Sequence, residues 1–228
     1  MEYPGILYED NHLIAVNKRV SDLVQGDRTG DMALDSIVRA YLKEKYHKPG
    51  NVFLGVIHRL DRPVSGVVLF ARTGKALSRM NDQFRDRRTK KTYWAVVRER
   101  PPAEEGHLVH YLVRDREKNK SFAYPQEVKN SKKGELLYRL VGHSRSYWFL
   151  EITLLTGRHH QIRAQLAAIG CPIRGDLKYG YPRSDPGGGI HLHARELVFV
   201  HPVRKNEIRV VADPPEDALW DLFCTLAE

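Results

Sequence analysis

Cysteine is scarce in this chain: only Cys171 and Cys224 occur, with no paired spacing. That argues against a disulfide framework or a zinc site and fits a reducing compartment. Long apolar runs are missing as well, none approaching the roughly 20 residues that a membrane-spanning helix needs. The first residues, Met1-Glu2-Tyr3-Pro4-Gly5, lack the basic-then-apolar pattern of a secretory signal. Neither end carries a basic amphipathic anchor. Acids are outnumbered, with 28 Asp and Glu against 37 Lys and Arg, for a formal net charge of +9. Together these shortages point to a cytoplasmic protein with a phosphate-rich partner, although anionic membranes and acidic proteins attract the same charge.

What is present suits an ordinary globular protein: 228 residues, 42% hydrophobic and 29% charged, enough for one or two domains with a sizeable core. The stretch His58-Arg59-Leu60-Asp61-Arg62-Pro63-Val64-Ser65-Gly66 stands between two apolar segments. Val67 to Ala71 after it reads as a buried strand, short, continuous and rich in β-branched residues. Pro63 disfavours helical geometry at Arg62, and Gly66 allows a tight backbone approach. A carboxylate between two arginines on such a loop suits catalysis. The same nine residues also suit a capping aspartate with plain surface arginines.

In chain order, residues 6–8 and 12–16 read as two strands joined by the turn-prone Glu9-Asp10-Asn11. Residues 25–27 read as a loop. Asp31 is placed to cap a helix with Leu34, Ile37, Val38, Tyr41 and Leu42 on one stripe. A second amphipathic helix is expected over residues 75–85, with Leu77, Met80 and Phe84 on one side. It runs into the densest basic stretch, Arg85-Asp86-Arg87-Arg88-Thr89-Lys90-Lys91, a candidate for phosphate contact or a solvated face. Residues 91–97 alternate as a strand, with Lys91, Tyr93, Ala95 and Val97 on one face and Trp94 and Val96 on the other. Four antiparallel strands are expected over 107–113, 121–127, 135–142 and 147–155. Ile162, Leu166 and Ile169 then share a helix face, stopped by Gly170 and Pro172. Residues 182–189 read as a flexible loop, and Pro214-Pro215-Glu216 as the start of a last helix.

Two histidine pairs invite a metal reading. His159 and His160, read as helical, diverge by about 100° per residue and do not easily share an ion. His191 and His193 can share a strand face but have no acidic or cysteine partner at a recognisable spacing. No metal site is expected.

The His-Arg-Leu-Asp stretch ending at Asp61 resembles the signature of RluA-type pseudouridine synthases, which isomerise uridine in ribosomal or transfer RNA. Lys91, Tyr93, Ala95 and Val97 resemble that family's second motif. Thr156-Gly157-Arg158-His159-His160-Gln161-Ile162-Arg163, followed by Leu166 and by Gly175-Asp176 with Tyr179-Gly180, resembles its third. Leu192-His193-Ala194 through His201-Pro202 resembles the strand that ends its catalytic domain. Lys18 matches a further motif, in which Arg19 replaces a proline.

The resemblance implies an α+β fold: one catalytic domain over residues 1–228, core motifs from 18 to 202, and a mostly antiparallel sheet bent around a basic cleft. It implies a minimal form with no small RNA-binding domain before the first strand. Asp61 is implied as the catalytic residue, Arg163 as its ion-pair partner and Tyr93 as the residue against the target base. Arg59 would fill the stack vacated by a flipped uridine. Arg62, Lys91, His160, Gln161 and Leu166 are implied at the substrate, Leu166 lining the uracil pocket. The chemistry requires no metal, nucleotide or redox cofactor. The implied partner is structured ribosomal or transfer RNA, with no membrane and no obligate protein partner, the chain acting as a monomer. Two rivals remain: an RNA-binding protein without catalysis, which basic charge fits equally, and a metal-dependent nuclease, which would want clustered carboxylates.

Overall fold

The structure, a computed structural model, describes residues 4–26 and 31–227; Asp27, expected on the loop 25–27, lies outside them. The chain divides into two compact units, one within Met1–Lys90 and Ala194–Pro214, the other within Lys91–His193 and Pro215–Glu228.

The first unit opens with β1 (Gly5–Glu9) and β2 (Leu13–Lys18), paired antiparallel. Asp10 makes the turn between them, its Oδ1 accepting from the backbone N–H of His12 and of Leu13, both at 2.8 Å. Helix α1 (Leu34–Lys45) buries Leu34, Val38 and Leu42, part of the expected stripe. Asp31 does not cap it. Ala33 is the N-cap and offers no side-chain acceptor; the Leu34 and Asp35 N–H groups donate instead to Leu23 O (2.7 Å) and Val24 O (3.2 Å). Asp31 pairs with Arg62 at 2.9 Å. Then come β3 (Gly55–Val56), β4 (Ser65–Ala71) and α2 (Gly74–Arg85). Every residue of β4 is buried, as its unbroken apolar run predicts. Thr73 caps α2 by accepting from Ala76 N at 3.2 Å.

The second unit begins with β5 (Lys90–Val97) and continues through β6 (Glu105–Asp115), β7 (Lys120–Tyr124), β8 (Lys132–His143) and β9 (Trp148–Leu154). These strands lie in the order β5-β9-β8-β6-β7, each antiparallel to the next. Helix α3 (Gln161–Ala168) and a 3-10 turn (Leu177–Tyr179) follow. Gly170, at φ +79, lies just past the end of α3 as expected. The chain returns to the first unit through β10 (Leu192–Val200) and β11 (Glu207–Val211), and closes in the second with α4 (Ala218–Ala227). Pro214 and Pro215 precede α4 and stand outside it; Asp217 Oδ1 takes the N–H of Leu219 at 2.9 Å.

Each unit has its own core. In the first, Leu13, Leu69, Met80, Leu197 and Phe199 pack together. In the second, α4 lays Trp220 and Phe223 on Trp94, Val96 and Phe149. The face predicted for Trp94 and Val96 is therefore the one that α4 covers. A smaller cluster joins Leu112 of β6 to Ala164 of α3 and to Tyr179. The fold is α+β and mostly antiparallel, as the resemblance implied.

Candidate active site

The Asp61 loop belongs to the first unit, between β3 and β4. Its turn is closed by Val64 N donating to Asp61 O at 3.0 Å. A buried ammonium holds it from behind: Lys18 Nζ donates to Arg62 O (3.0 Å), Val64 O (2.7 Å) and Arg19 O (2.8 Å). Lys18 has no exposed surface. Burial pushes its pKa down to about 8, against the carboxylates of Asp22 and Asp61, which favour the charged form. His58 Nε2 accepts from Leu69 N at 3.0 Å, and its ring stacks on Phe84 at 5.0 Å. The histidine of the signature thus fastens the loop to β4.

Asp61 itself is half-buried, while Arg59 and Arg62 are exposed and Leu60 is buried. Arg62 donates through Nε to Ser21 O at 3.1 Å and pairs with Asp31, so it also ties the loop down. Arg59 borders a recess lined by Leu54, Val56 and Ile57 together with Gln25 and Arg39.

Gly66 stands at φ +115, and a Cβ there would lie 2.3 Å from the carbonyl oxygen of Ala194. Glycine alone suits that backbone conformation and that approach together. Gly66→Ala is expected to cost about 3 kcal/mol or more through strain and overpacking. Thermal unfolding should then show a midpoint roughly 6–12 °C lower; an unchanged midpoint would refute this reading of the turn.

The second unit carries the other expected residues. Tyr93 sits in β5, half-buried, opposite Ile152 of β9, and Lys91 is half-buried two residues earlier. Arg163 lies on α3 with 5% of its surface exposed. Its Nε donates to Asp176 Oδ2 (2.7 Å) and its Nη2 to Asp176 Oδ1 (2.8 Å), a two-bond fork onto a carboxylate that is itself 1% exposed. The guanidinium carbon lies 5.0 Å from the ring centre of Tyr179. Asp176 is held in turn by its chain: Arg174 N donates to Val96 O of β5 at 2.9 Å, and Gly175 and Gly180 take φ +84 and +97 on either side. In the sequence, Asp176 and Tyr179 belong to a motif that assigns them no role. The flanking glycines are the available signal, marking a chain that turns back sharply.

His159 and His160 do not lie on the helix. His160 is the N-cap of α3, in the left-handed region at φ 52, and the two rings stack at 3.8 Å. The divergence expected of helical neighbours therefore does not apply. His160 Nδ1 lies 3.0 Å from Tyr179 OH, which accepts from Ser121 N at 2.8 Å. Burial first, then the charges of Arg163 and His159, pushes the His160 pKa down to about 2. The ring is neutral at working pH and shares a hydrogen bond with the tyrosine hydroxyl.

Gln161 is buried with its amide committed to the turn: Oε1 accepts from Thr156 Oγ1 (2.8 Å) and Arg158 N (3.0 Å), while Nε2 donates to Glu135 O (3.0 Å). That geometry makes it a support of Arg163's helix. Leu166 has no exposed surface. His191 does have acidic partners, Asp217 at 3.1 Å and Asp185 at 3.4 Å, at separations that no local spacing reveals. Among the described residues, no group of three or more His, Cys, Asp or Glu is arranged to hold a metal.

A family model for RNA pseudouridylate synthase matches residues 12–168, a span that contains Asp61, Tyr93 and Arg163. The chain belongs to that family. It is thus an RNA-modifying isomerase of the pseudouridine synthase class. It is 34% identical to "Ribosomal large subunit pseudouridine synthase D" of Xylella fastidiosa, over 98% of this chain and 69% of that protein. It is 33% identical to "Dual-specificity RNA pseudouridine synthase RluA" of Haemophilus influenzae, over 88% of this chain and 89% of that one. The fold is shared with human RNA pseudouridylate synthase domain containing 4, at TM-score 0.78 and 23% identity over 98% and 92% of the two chains. In this family setting, the clamp of Lys18 on the Asp61 loop and the fork of Arg163 on Asp176 are two devices that hold candidate catalytic groups still.

Proposed function

We propose that this enzyme isomerises specific uridines in structured ribosomal or transfer RNA, with Asp61, Tyr93 and Arg163 acting on the same uridine. The observation that carries the reading is the family match across residues 12–168, joined to the immobilised Asp61 loop. The target base must leave its stack to be reached, and Arg59, exposed two residues before Asp61, fills the space it leaves.

The reaction breaks the C1′–N1 glycosidic bond, turns the uracil, and joins C5 to C1′, with the C5 proton leaving. Asp61 acts as a nucleophile or as a stabiliser of positive charge at C1′. Arg163, held by the fork onto Asp176, supplies a fixed guanidinium to the same uridine. Tyr93 packs on the uracil. Once C5 has joined C1′, its phenol relays the proton that leaves C5, while N1 takes one up, so the product is an isomer of uridine. Arg62, Lys91 and His160 contribute at the rim of the substrate site, and Leu166 backs the uracil pocket from within α3. The reaction needs no metal or organic cofactor, so turnover is expected to survive chelator.

The enzyme works in the cytoplasm as a monomer in this reading; among the described residues no helix is long and apolar enough to cross a membrane. Mapping pseudouridine in cellular ribosomal and transfer RNA with and without the protein tests the substrate class. Sites that vanish with the protein and return with it name the substrate. A map unchanged at every site in both RNAs would overturn it.

A further inference from the structure

The sheet of the second unit has two faces, and one of them is covered only in part. Leu112 and Ala123 point towards α3 and pack with Ala164, Ala167 and Tyr179. The alternate residues point the other way. Where that second face is formed by β5 and β9, α4 covers it with Trp220 and Phe223. Across β6 and β7, no helix covers it among the described residues.

The uncovered part is aromatic. Tyr124 pairs with Tyr111, which pairs with Lys133, so the three form one row across β7, β6 and β8. The next row of that face is Phe122 opposite Val113. Phe122 is 36% exposed and Tyr124 39%. Being two residues apart, they stand about 6.7 Å from each other along the strand. Single exposed apolar residues are ordinary, but two aromatic rings side by side on an edge strand call for an occupant.

Charge says which. From Arg114 to Lys133 the sequence has seven Lys and Arg against three acids, a net +4 of the chain's +9 in 20 residues. Lys118 and Lys129 are exposed in the turns at either end of β7, whereas Lys132 stands opposite Leu112 and belongs to the other face. Lys120 Nζ sits 5.6 Å from the centre of the Phe122 ring and 5.0 Å from that of Tyr179, so cation and ring are presented together. Lys133 is taken by Glu135 at 3.0 Å and is not counted on. Rings interleaved with lysines on an open sheet are how proteins hold unpaired nucleotides: bases stack on the rings, and phosphates meet the ammonium groups.

We propose that this face of β6 and β7 is a stacking platform for an unpaired stretch of the substrate RNA. Two bases lie on Phe122 and Tyr124, and the adjoining phosphates meet Lys118 and Lys129. The inference rests on the reading that the enzyme acts on structured RNA, and it adds a second point of grip, on a different strand pair from the elements that carry Asp61, Tyr93 and Arg163.

The test uses the full chain and its RNA substrate, comparing wild type with a Phe122→Leu/Tyr124→Leu variant and a Lys118→Ala/Lys129→Ala variant. Leucine keeps apolar bulk on the strand and removes the ring face, so the thermal midpoint should not move. The leucine variant is expected to bind RNA about tenfold or more weakly, with kcat at saturating RNA and the salt slope of binding unchanged. The lysine variant should instead flatten that slope by roughly 1–2. Phe122→Tyr/Tyr124→Phe, which keeps both rings, should bind as wild type does. Unchanged RNA affinity in the leucine variant would overturn the platform, and a changed mass in solution alongside it would make the face a protein contact. Failure of the wild type itself to bind RNA would overturn the functional reading and not this inference alone.

Discussion

Asp61→Asn is expected to remove pseudouridine formation, at least about a thousandfold in kcat/KM, while leaving the protein folded. The loop explains why the fold survives. Its turn is held by backbone and by Lys18, through Val64 N to Asp61 O and through the carbonyls of Arg62 and Val64. None of these contacts uses the Asp61 carboxylate. Asparagine matches its shape but carries no charge to place at C1′ and is a poor nucleophile. RNA affinity should stay close to wild type, because it rests mainly on phosphates. One side effect follows from electrostatics. The Asp61 carboxylate helps keep Lys18 protonated, so its loss should lower the Lys18 pKa further below about 8. Quantifying pseudouridine by mass spectrometry of digested RNA checks the first point, and a thermal melt checks the second.

Arg163→Lys is expected to cut kcat by about a hundredfold, and Asp176→Asn by a similar factor, yet the double variant should be little worse than either alone. Lysine keeps the charge but lacks the fork that meets both oxygens of Asp176 at 2.7 and 2.8 Å. Asparagine keeps one acceptor and loses the other, so the guanidinium is no longer fixed about its own axis. If Asp176 acts only by positioning Arg163, the two losses overlap and do not multiply. Losses that multiply would show Asp176 acting independently. Arg163→Ala is the harsher change, since it strands a carboxylate that is 1% exposed. Breaking such a buried pair costs about 3–5 kcal/mol, and the melt should fall by roughly 6–20 °C. Reduced activity in that variant alone therefore says little about chemistry, which is why the lysine and asparagine variants carry the test.

Much of this arrangement is legible in the sequence where local rules decide. The run through β4 is buried throughout, β5 splits its faces as period two requires, and Gly170 stands past the end of α3. Motif matching position by position puts Asp61 on a loop between apolar segments, where the structure has it. What local rules miss has a common cause: a partner distant in sequence takes over a local role. Asp31 has the right chemistry to cap α1, but backbone carbonyls of Leu23 and Val24 already hold the N–H groups at its start. His160 looks helical and is the left-handed residue before the helix, its ring bonded to Tyr179, nineteen residues on. The Gln161 amide closes the turn from Thr156 to Arg158 and reaches Glu135, partners that no local pattern names. Asp176 can be quoted as part of a motif, but nothing in its spacing says that it grips Arg163.

The central claim is that this chain joins C5 of a uridine in RNA to C1′, which must expel the hydrogen at C5. Release of tritium from RNA labelled at uridine C5 reads that event directly. Release is expected from ribosomal or transfer RNA of the enzyme's source, undiminished by chelator and absent with Asp61→Asn. Label retained in every such RNA, or released equally by Asp61→Asn, would contradict the claim.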